Sequence, residues 1–213
     1  FGSAKVFADD TPIPVLDPGG GRTKTGRLWV YACDDRPWSG VDPPAAIYFY
    51  SPDRKAKRPA SHLAQFRGVV QVDGYPGFDR LRVGGNIQLA ACWVHTRRKF
   101  YEVHQATGSP IAAEALRSIA ELYAIKTTIR GESAGTRKGV RRARSLPLVE
   151  AMKLWFETKL LHIPPRSGLA DAIRYALTRW SDLGRFIDDG RIELDTNTVE
   201  RAIRPVALGR KNH

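Results

Sequence analysis

Residues 68–78 read GVVQVDGYPGF. The run from Val69 to Val72 is mostly β-branched, and it stops abruptly at Asp73-Gly74. A short apolar run bounded by turn residues is the pattern of a buried strand. Pro76 and Gly77 hold the exit as a loop. The neighbours of this strand decide the fold. Upstream, KVFAD (5–9) is a second apolar run closed by acids, read as a strand presenting Asp9, with Pro12 and Pro14 making its continuation an edge or a loop. DPGGGRTKTGR (17–27) is a turn-rich basic connection, and RLWVYACDD (27–35) and AAIYFYSP (45–52) carry the aromatic and β-branched residues that strands prefer. The cations Arg54, Lys55, Lys57 and Arg58 lead into a short helix around 59–66. Downstream, NIQLAACWVH (86–95) is nearly continuous in apolar residues, as suits a strand buried on both faces. Three hairpin-linked strands followed by helix, strand, helix and strand predict an α/β domain with a mixed five-stranded sheet.

From Thr96 the period changes. Positions 112, 115, 116, 119, 122, 123, 126 and 129 recur at helical spacing and are apolar except Lys126. RGESAGTRKGVRRAR (130–144), rich in glycine and cations, reads as a mobile basic loop or a weak helix. Ser145 and Pro147 look like the cap and first-turn proline of a helix to about residue 161. Pro164-Pro165 breaks it, Ser167 opens another, and Gly190 is a plausible stop. The expected organisation is therefore a first part of the sheet domain at 1–100, an all-helical insertion at 101–190, and a return to the sheet domain at 191–213.

The returning stretch, IELDTNTVERAIRPVALGRK (192–211), reads as a turn that opens a helix. Asn197 is a good N-cap, and Glu200 follows where a capping-box acid would sit. Beyond Glu200 come Arg201, Arg204, Arg210 and Lys211 and no acid. Glu200 thus has two readings, a helix cap or a ligand. The aspartates upstream bear on the choice. Two carboxylates at the ends of neighbouring strands raise each other's pKa, and a divalent cation relieves this. Hard oxygen ligands point to Mg2+ or Mn2+. A pair of such ions about 4 Å apart suits phosphodiester chemistry. Asp10 should point away from Asp9, because successive strand residues face opposite sides.

The composition bounds the partners. Lys and Arg number 34 against 22 Asp and Glu among 213 residues, a net charge of +12. Such an excess suits a polyanion, nucleic acid above all, although a generally basic surface has the same sum. Lys24, Arg54 and Lys55 in the early basic segments, and His95, Arg97 and Arg98 after the last strand, join the cations of the final helix as candidate phosphate contacts. The alternative for His95 is partial burial at a helix start. Trp29, Trp93, Trp155 and Trp180 fit core patterns, and Trp38 is the one candidate for base stacking. Cys33 and Cys92 make no CxxC pair, so neither a zinc knuckle nor a disulfide framework is signalled. No phosphate loop of the Walker type supports nucleotide hydrolysis. No run approaches the length of a membrane span. No leader is visible, so a cytoplasmic protein is expected. The start at Phe1 and the end inside a continuing element suggest a piece of a longer chain.

Taken together, ADDTPIPVLDPG (8–19), KTGRLWVY (24–31), VVQVDGYPGF (69–78), CWVHTRRKF (92–100), IAELYAI (119–125), LADAIRYALTRW (169–180) and VERAIRPVALGRKN (199–212) resemble the transposases of the insertion-sequence 66 family. The resemblance spans essentially the whole chain. It implies a ribonuclease-H-like catalytic domain with an Asp-Asp-Glu triad, and it places Asp9, Asp73 and Glu200 on the triad positions. It further implies one or two Mg2+ or Mn2+ ions, cleavage and strand transfer at transposon ends, and a homo-oligomer on DNA with possible accessory proteins. The setting would be the bacterial nucleoid. This chain has Asp9-Asp10 where the family usually has Asp-Glu. It has Asp195-Thr196-Asn197 where Asp-Asn-Asn is usual, and His213 where Trp is usual. Two other readings share these residues: a non-catalytic basic DNA-binding remnant, and a ribonuclease-H-type nuclease.

Overall fold

The strands are β1 (Lys5–Val15), β2 (Lys24–Cys33), β3 (Ala45–Ser51), β4 (Gly68–Val72) and β5 (Ile87–Ala91), and they lie in one sheet in the order β3-β2-β1-β4-β5. The computed structural model describes residues 2–17 and 19–209. β1 pairs antiparallel with β2, and β2 with β3, while β1 and β4 are parallel. The sheet is therefore mixed, and the fold is α/β with a ribonuclease-H-like strand arrangement. The chain divides into two compact units. The first comprises the residues up to Asp34, Asp42–Leu89 and the segment from Thr196 on, and the second Asp35–Val41 and Ala90–Asp195.

In the first unit the two faces of the sheet bury different partners. Val6, Ala8, Trp29 and Tyr31 share one core with Leu63 and Phe66, which follow helix α1 (Lys57–His62), and with Phe78 from the turn Pro76–Arg82. Phe7, Val30 and Ala32 face the other way, onto Val199 of helix α8 (Asn197–Gly209). This is the two-residue alternation of a strand. It fixes which side each aspartate of β1 takes.

β1 continues through both prolines, its residues up to Val15 pairing with β2. Of the two expected outcomes, edge or loop, the edge is what forms. β4 is in register only with Lys5–Ala8, so the β4 side of the strand beyond Ala8 tolerates residues without an N–H. β5 ends at Ala91 rather than His95, because helix α2 (Trp93–Thr107) already begins at Trp93. Gln88 on it is exposed, so the strand is not buried throughout both faces.

The second unit is helical: after α2 come α3 (Pro110–Thr128), α4 (Ala134–Val140), α5 (Leu146–Leu161), α6 (Gly168–Leu177) and α7 (Trp180–Asp188). From 101 to 190 the described residues contain no strand. Phe100 stacks on Phe156 at 5.1 Å, and Trp93 meets Trp180 edge-on at 5.8 Å. The buried positions of α3, namely Ala112, Ala115, Ile119, Leu122 and Ile125, follow the helical period read from the sequence.

Of the two readings of 130–144, mobile loop or weak helix, the helix is what forms from Ala134 on: α4 runs through a wider π turn at Arg141–Ser145 into α5. Ser133 caps α4 by accepting from the Thr136 N–H at 3.2 Å. Arg137 and Arg141 are buried, and the Arg141 guanidinium donates to the carbonyls of Ile192 (2.9 Å) and Phe186 (3.0 Å). Two cations of this basic stretch thus hold the helix in place. Ser145 lies inside this continuous helix and makes no side-chain cap. Ser167 does cap α6, accepting from Ala170 at 3.1 Å. The helix opened at Ser167 breaks at Thr178–Arg179 and restarts as α7.

Candidate active site

The register of the sheet builds the site. Ala8 pairs with Val72 in the parallel ladder between β1 and β4, so the next residue of each strand is an aspartate, Asp9 and Asp73. Asp9 lies two residues from Phe7, on the face covered by α8, where Val199 is fully buried and Glu200 is its neighbour. Ionisation of Asp9 is disfavoured. Its pKa is raised to about 7, first by burial and then by the charges of Asp73, Asp10 and, more weakly, Glu200. The N–H of Asp10 donates to Asp9 at 2.7 Å and offsets part of this. Asp9 therefore lies where the charges of both Asp73 and Glu200 bear on it.

Asp73 is held by its own turn. One carboxylate oxygen, Oδ1, accepts from the backbone N–H of Gly74 (2.7 Å) and of Tyr75 (2.9 Å). A side chain that caps the turn it opens has one fixed orientation. Glu200 stands in the first turn of α8, but the cap is shifted by one residue. The Thr196 carbonyl accepts from the Glu200 N–H at 3.2 Å, which makes Thr196 the cap and Asn197 the first helical residue. Glu200 is then one position past the capping-box acid. Its carboxylate instead meets the Thr196 hydroxyl at 3.4 Å.

Asp10 points away from Asp9, as strand alternation requires. Its side chain is wholly buried between Arg27 (3.1 Å) and Arg54 (2.8 Å). This network was missed from sequence. Asp10 sits opposite Trp29 in the ladder, and Arg27, two residues before Trp29, is its diagonal cross-strand neighbour. That relation is legible only once the register is known.

The candidate phosphate contacts divide. Lys24 is exposed and paired with Asp17 at 2.8 Å, Lys55 is exposed, and Arg201 is exposed with Asp34 3.7 Å away. Arg204 is exposed on α8. The Arg54 guanidinium is turned inward, onto Asp10. His95, Arg97 and Arg98 belong to the opening turns of α2 in the second unit, with Arg97 and Arg98 exposed. β5 neighbours β4 and not β1, so it does not lie beside the Asp9 strand. Arg210, Lys211 and His213 lie outside the described residues. Trp38 is half-buried in a short turn, and Trp29 and Trp93 are core residues with no exposure.

Among the described residues, no three His, Cys, Asp or Glu side chains are gathered tightly enough to cage a metal ion. The donor set itself, carboxylate oxygens, matches a hard divalent cation. Among the described residues no helix is long and apolar enough to cross a membrane.

The family described as Transposase IS66 family matches residues 2–213. Three proteins of Sinorhizobium fredii (strain NBRC 101917 / NGR234), each described as uncharacterized, align with nearly the whole chain. They are y4qI (44% identical over 98% of this chain), y4jD (46% over 98%) and y4hP (40% over 100%). The aligned regions are 40%, 42% and 41% of those proteins, so the chain spans about two fifths of the length of the curated relatives it matches. No solved structure matches it.

Proposed function

Because this chain belongs to the Transposase IS66 family, we propose that its sheet unit is the catalytic core of a DNA strand-transfer enzyme, with Asp9, Asp73 and Glu200 as the acidic triad. The observation that carries this reading is the register of β1 with β4, which sets Asp9 and Asp73 just past paired residues on neighbouring strands, with Glu200 on the helix that covers the Asp9 face. Burial first, and then the charges of Asp73, Asp10 and, more weakly, Glu200, raise the Asp9 carboxyl to about 7. A stable fold has no use for such repulsion, whereas a cation-binding site does.

Mg2+ or Mn2+ fits the donors present. Mg2+ is usually held by one or two carboxylates with waters and substrate phosphates completing the shell, so a closed cage of three protein acids is not required. Asp9 and Asp73 would hold the ion or ions, with Glu200 reaching in from α8. When bound, they would activate the attacking oxygen and stabilise the leaving oxygen of the phosphodiester. The chain's own residues supply the rest. Asp73 would offer a carboxylate whose orientation its own turn fixes. Asp9, half-buried and easily protonated, would give up its proton where it held the ion. Thr196 steadies Glu200. Arg201 and Arg204, exposed on the same helix, would position the DNA backbone by charge, with Lys24 and Lys55 as further contacts. DNA, both transposon ends and target, is the proposed partner, bound by an oligomer of this chain.

The test is nicking of supercoiled plasmid in Mg2+ or Mn2+. The wild-type chain should nick, and Asp73→Asn should not, while salt-sensitive DNA binding survives. Equal nicking by both proteins refutes the assignment. Cleavage of an RNA–DNA hybrid in preference to plasmid would point instead to a ribonuclease-H-type nuclease. Binding without cleavage by the wild type would mark a DNA-binding remnant.

A further inference from the structure

Arg54 lies between two acids, Asp10 and Asp73. Its Nε donates to Asp10 Oδ1 at 2.8 Å, and its Nη2 is 4.0 Å from Asp73 Oδ2. Its guanidinium stacks on the Tyr75 ring, 4.0 Å from the centroid. Tyr75 closes the loop twice over: its hydroxyl donates to the Arg54 carbonyl, and its N–H donates to Asp73 at 2.9 Å. All of these residues lie in the first unit. Asp10 has no side-chain exposure and is also held by Arg27. It is therefore a fixed anchor, and Arg54 is the group that transmits that fixity to the 73–75 turn. A guanidinium suits this task because it is planar: it offers its edge to carboxylates and its face to a ring at the same time. A lysine in its place offers one point charge and no plane.

We propose that Arg54 is a positioning residue for Asp73: braced by Asp10 and Tyr75, it sets the place and direction of the Asp73 carboxylate that would hold the cation. The inference rests on the reading of Asp9, Asp73 and Glu200 as the cation site. It assigns to Arg54 a role different from a DNA phosphate contact, and the two roles have opposite signatures. Simple removal of a positive charge 4.0 Å from Asp73 would strengthen Mn2+ binding, because a like charge has gone. Loss of a brace weakens it, because the 73–75 turn that carries Asp73 can then shift as a whole.

The experiment measures Mn2+ affinity by calorimetry or electron paramagnetic resonance, and metal-free DNA affinity in parallel. The proteins are wild type, Arg54→Ala, Arg54→Lys and Asp73→Asn, each checked by thermal melting. Arg54→Ala leaves Asp10 paired with Arg27, so the fold should persist. Both Arg54 variants are expected to bind Mn2+ about tenfold more weakly and DNA within about twofold of wild type. Unchanged or tighter Mn2+ binding by Arg54→Ala overturns the proposal, and so does full rescue by Arg54→Lys, which would mean that charge alone matters. Weaker metal-free DNA binding with intact Mn2+ affinity also overturns it, in favour of a phosphate contact. Asp73→Asn separates the two levels. If it binds Mn2+ as wild type does, or if wild type binds none, the cation site itself is refuted and this role for Arg54 falls with it. If Asp73→Asn loses the ion and the Arg54 variants keep it, only the positioning role fails.

Discussion

Replacing Asp9 by Asn should stabilise the metal-free protein at alkaline pH, even though it removes a proposed catalytic group. The ordinary value for Asp9 is 3.8, and the folded protein raises it to about 7 through burial and the charges of Asp73, Asp10 and Glu200. Between those two values the native state holds a proton that the unfolded chain has released, so stability falls as pH rises. The contribution is fully present below the unfolded value and is lost once pH passes the folded one. A gap of about three units corresponds to roughly 4 kcal/mol as an upper bound. Asp9 is partly exposed, and screening brings the expected effect to about 2 kcal/mol. Asn retains an oxygen to accept the Asp10 N–H and carries no charge. Urea unfolding in a chelator at about pH 5 and about pH 8 measures the difference. The window from about pH 5 to about pH 8 covers roughly two of the three units, so wild type should lose about 1 kcal/mol between the two conditions relative to Asp9→Asn. Mg2+ should restore the wild type at the higher pH and leave the variant unmoved. If the two proteins follow parallel stability profiles, the charges of Asp73 and Glu200 do not reach Asp9 and the reasoning fails.

Removal of Arg137 should be among the costliest single changes, because it leaves Glu193 buried with only the 3.2 Å contact of Lys126 among the ion pairs described. Arg137→Ala should lose about 3 kcal/mol in urea unfolding, whereas Arg142→Ala, at an exposed pair with Asp188, should stay within about 0.5 kcal/mol. Val199→Ala, which hollows the fully buried contact of α8 with the sheet, should cost about 2 kcal/mol. It should reduce nicking more than DNA binding, since Glu200 is its neighbour. The double variant Arg201→Ala, Arg204→Ala should lower the log–log salt slope of DNA binding by about 2 if each contacts one phosphate, and an unchanged slope places the DNA elsewhere.

Much of the sheet unit was legible from local pattern. The apolar runs at β1, β2, β3 and β4, and the Asp-Gly stop after Val72, need only side-chain chemistry to be read. That Asp9 and Asp73 sit at neighbouring strands was read from apolar runs that stop at acids, and the turn of Asp10 away from Asp9 from simple alternation. What escaped the sequence depends on partners distant in the chain. Arg137 and Arg141 look solvated in a glycine-rich cationic run, and only the backbone carbonyls and Glu193 that receive them reveal burial. Arg54 reads as one of four exposed cations until Asp10 and Tyr75 are placed beside it. The boundary at Trp93 was misread because an apolar helix start continues an apolar strand without a change of composition. The shift of the α8 cap from Asn197 to Thr196 is a one-residue matter, settled by which carbonyl accepts the first helical bond.

The most direct test of the shared cation site is a crystal structure of the chain soaked in Mn2+, with anomalous scattering used to locate the ion. The expected result is a peak within coordination distance, roughly 2.2 Å, of carboxylate oxygens from both Asp9 and Asp73, with Glu200 on the same side. A peak bound elsewhere, or none at these aspartates at saturating Mn2+, would contradict the assignment of the triad.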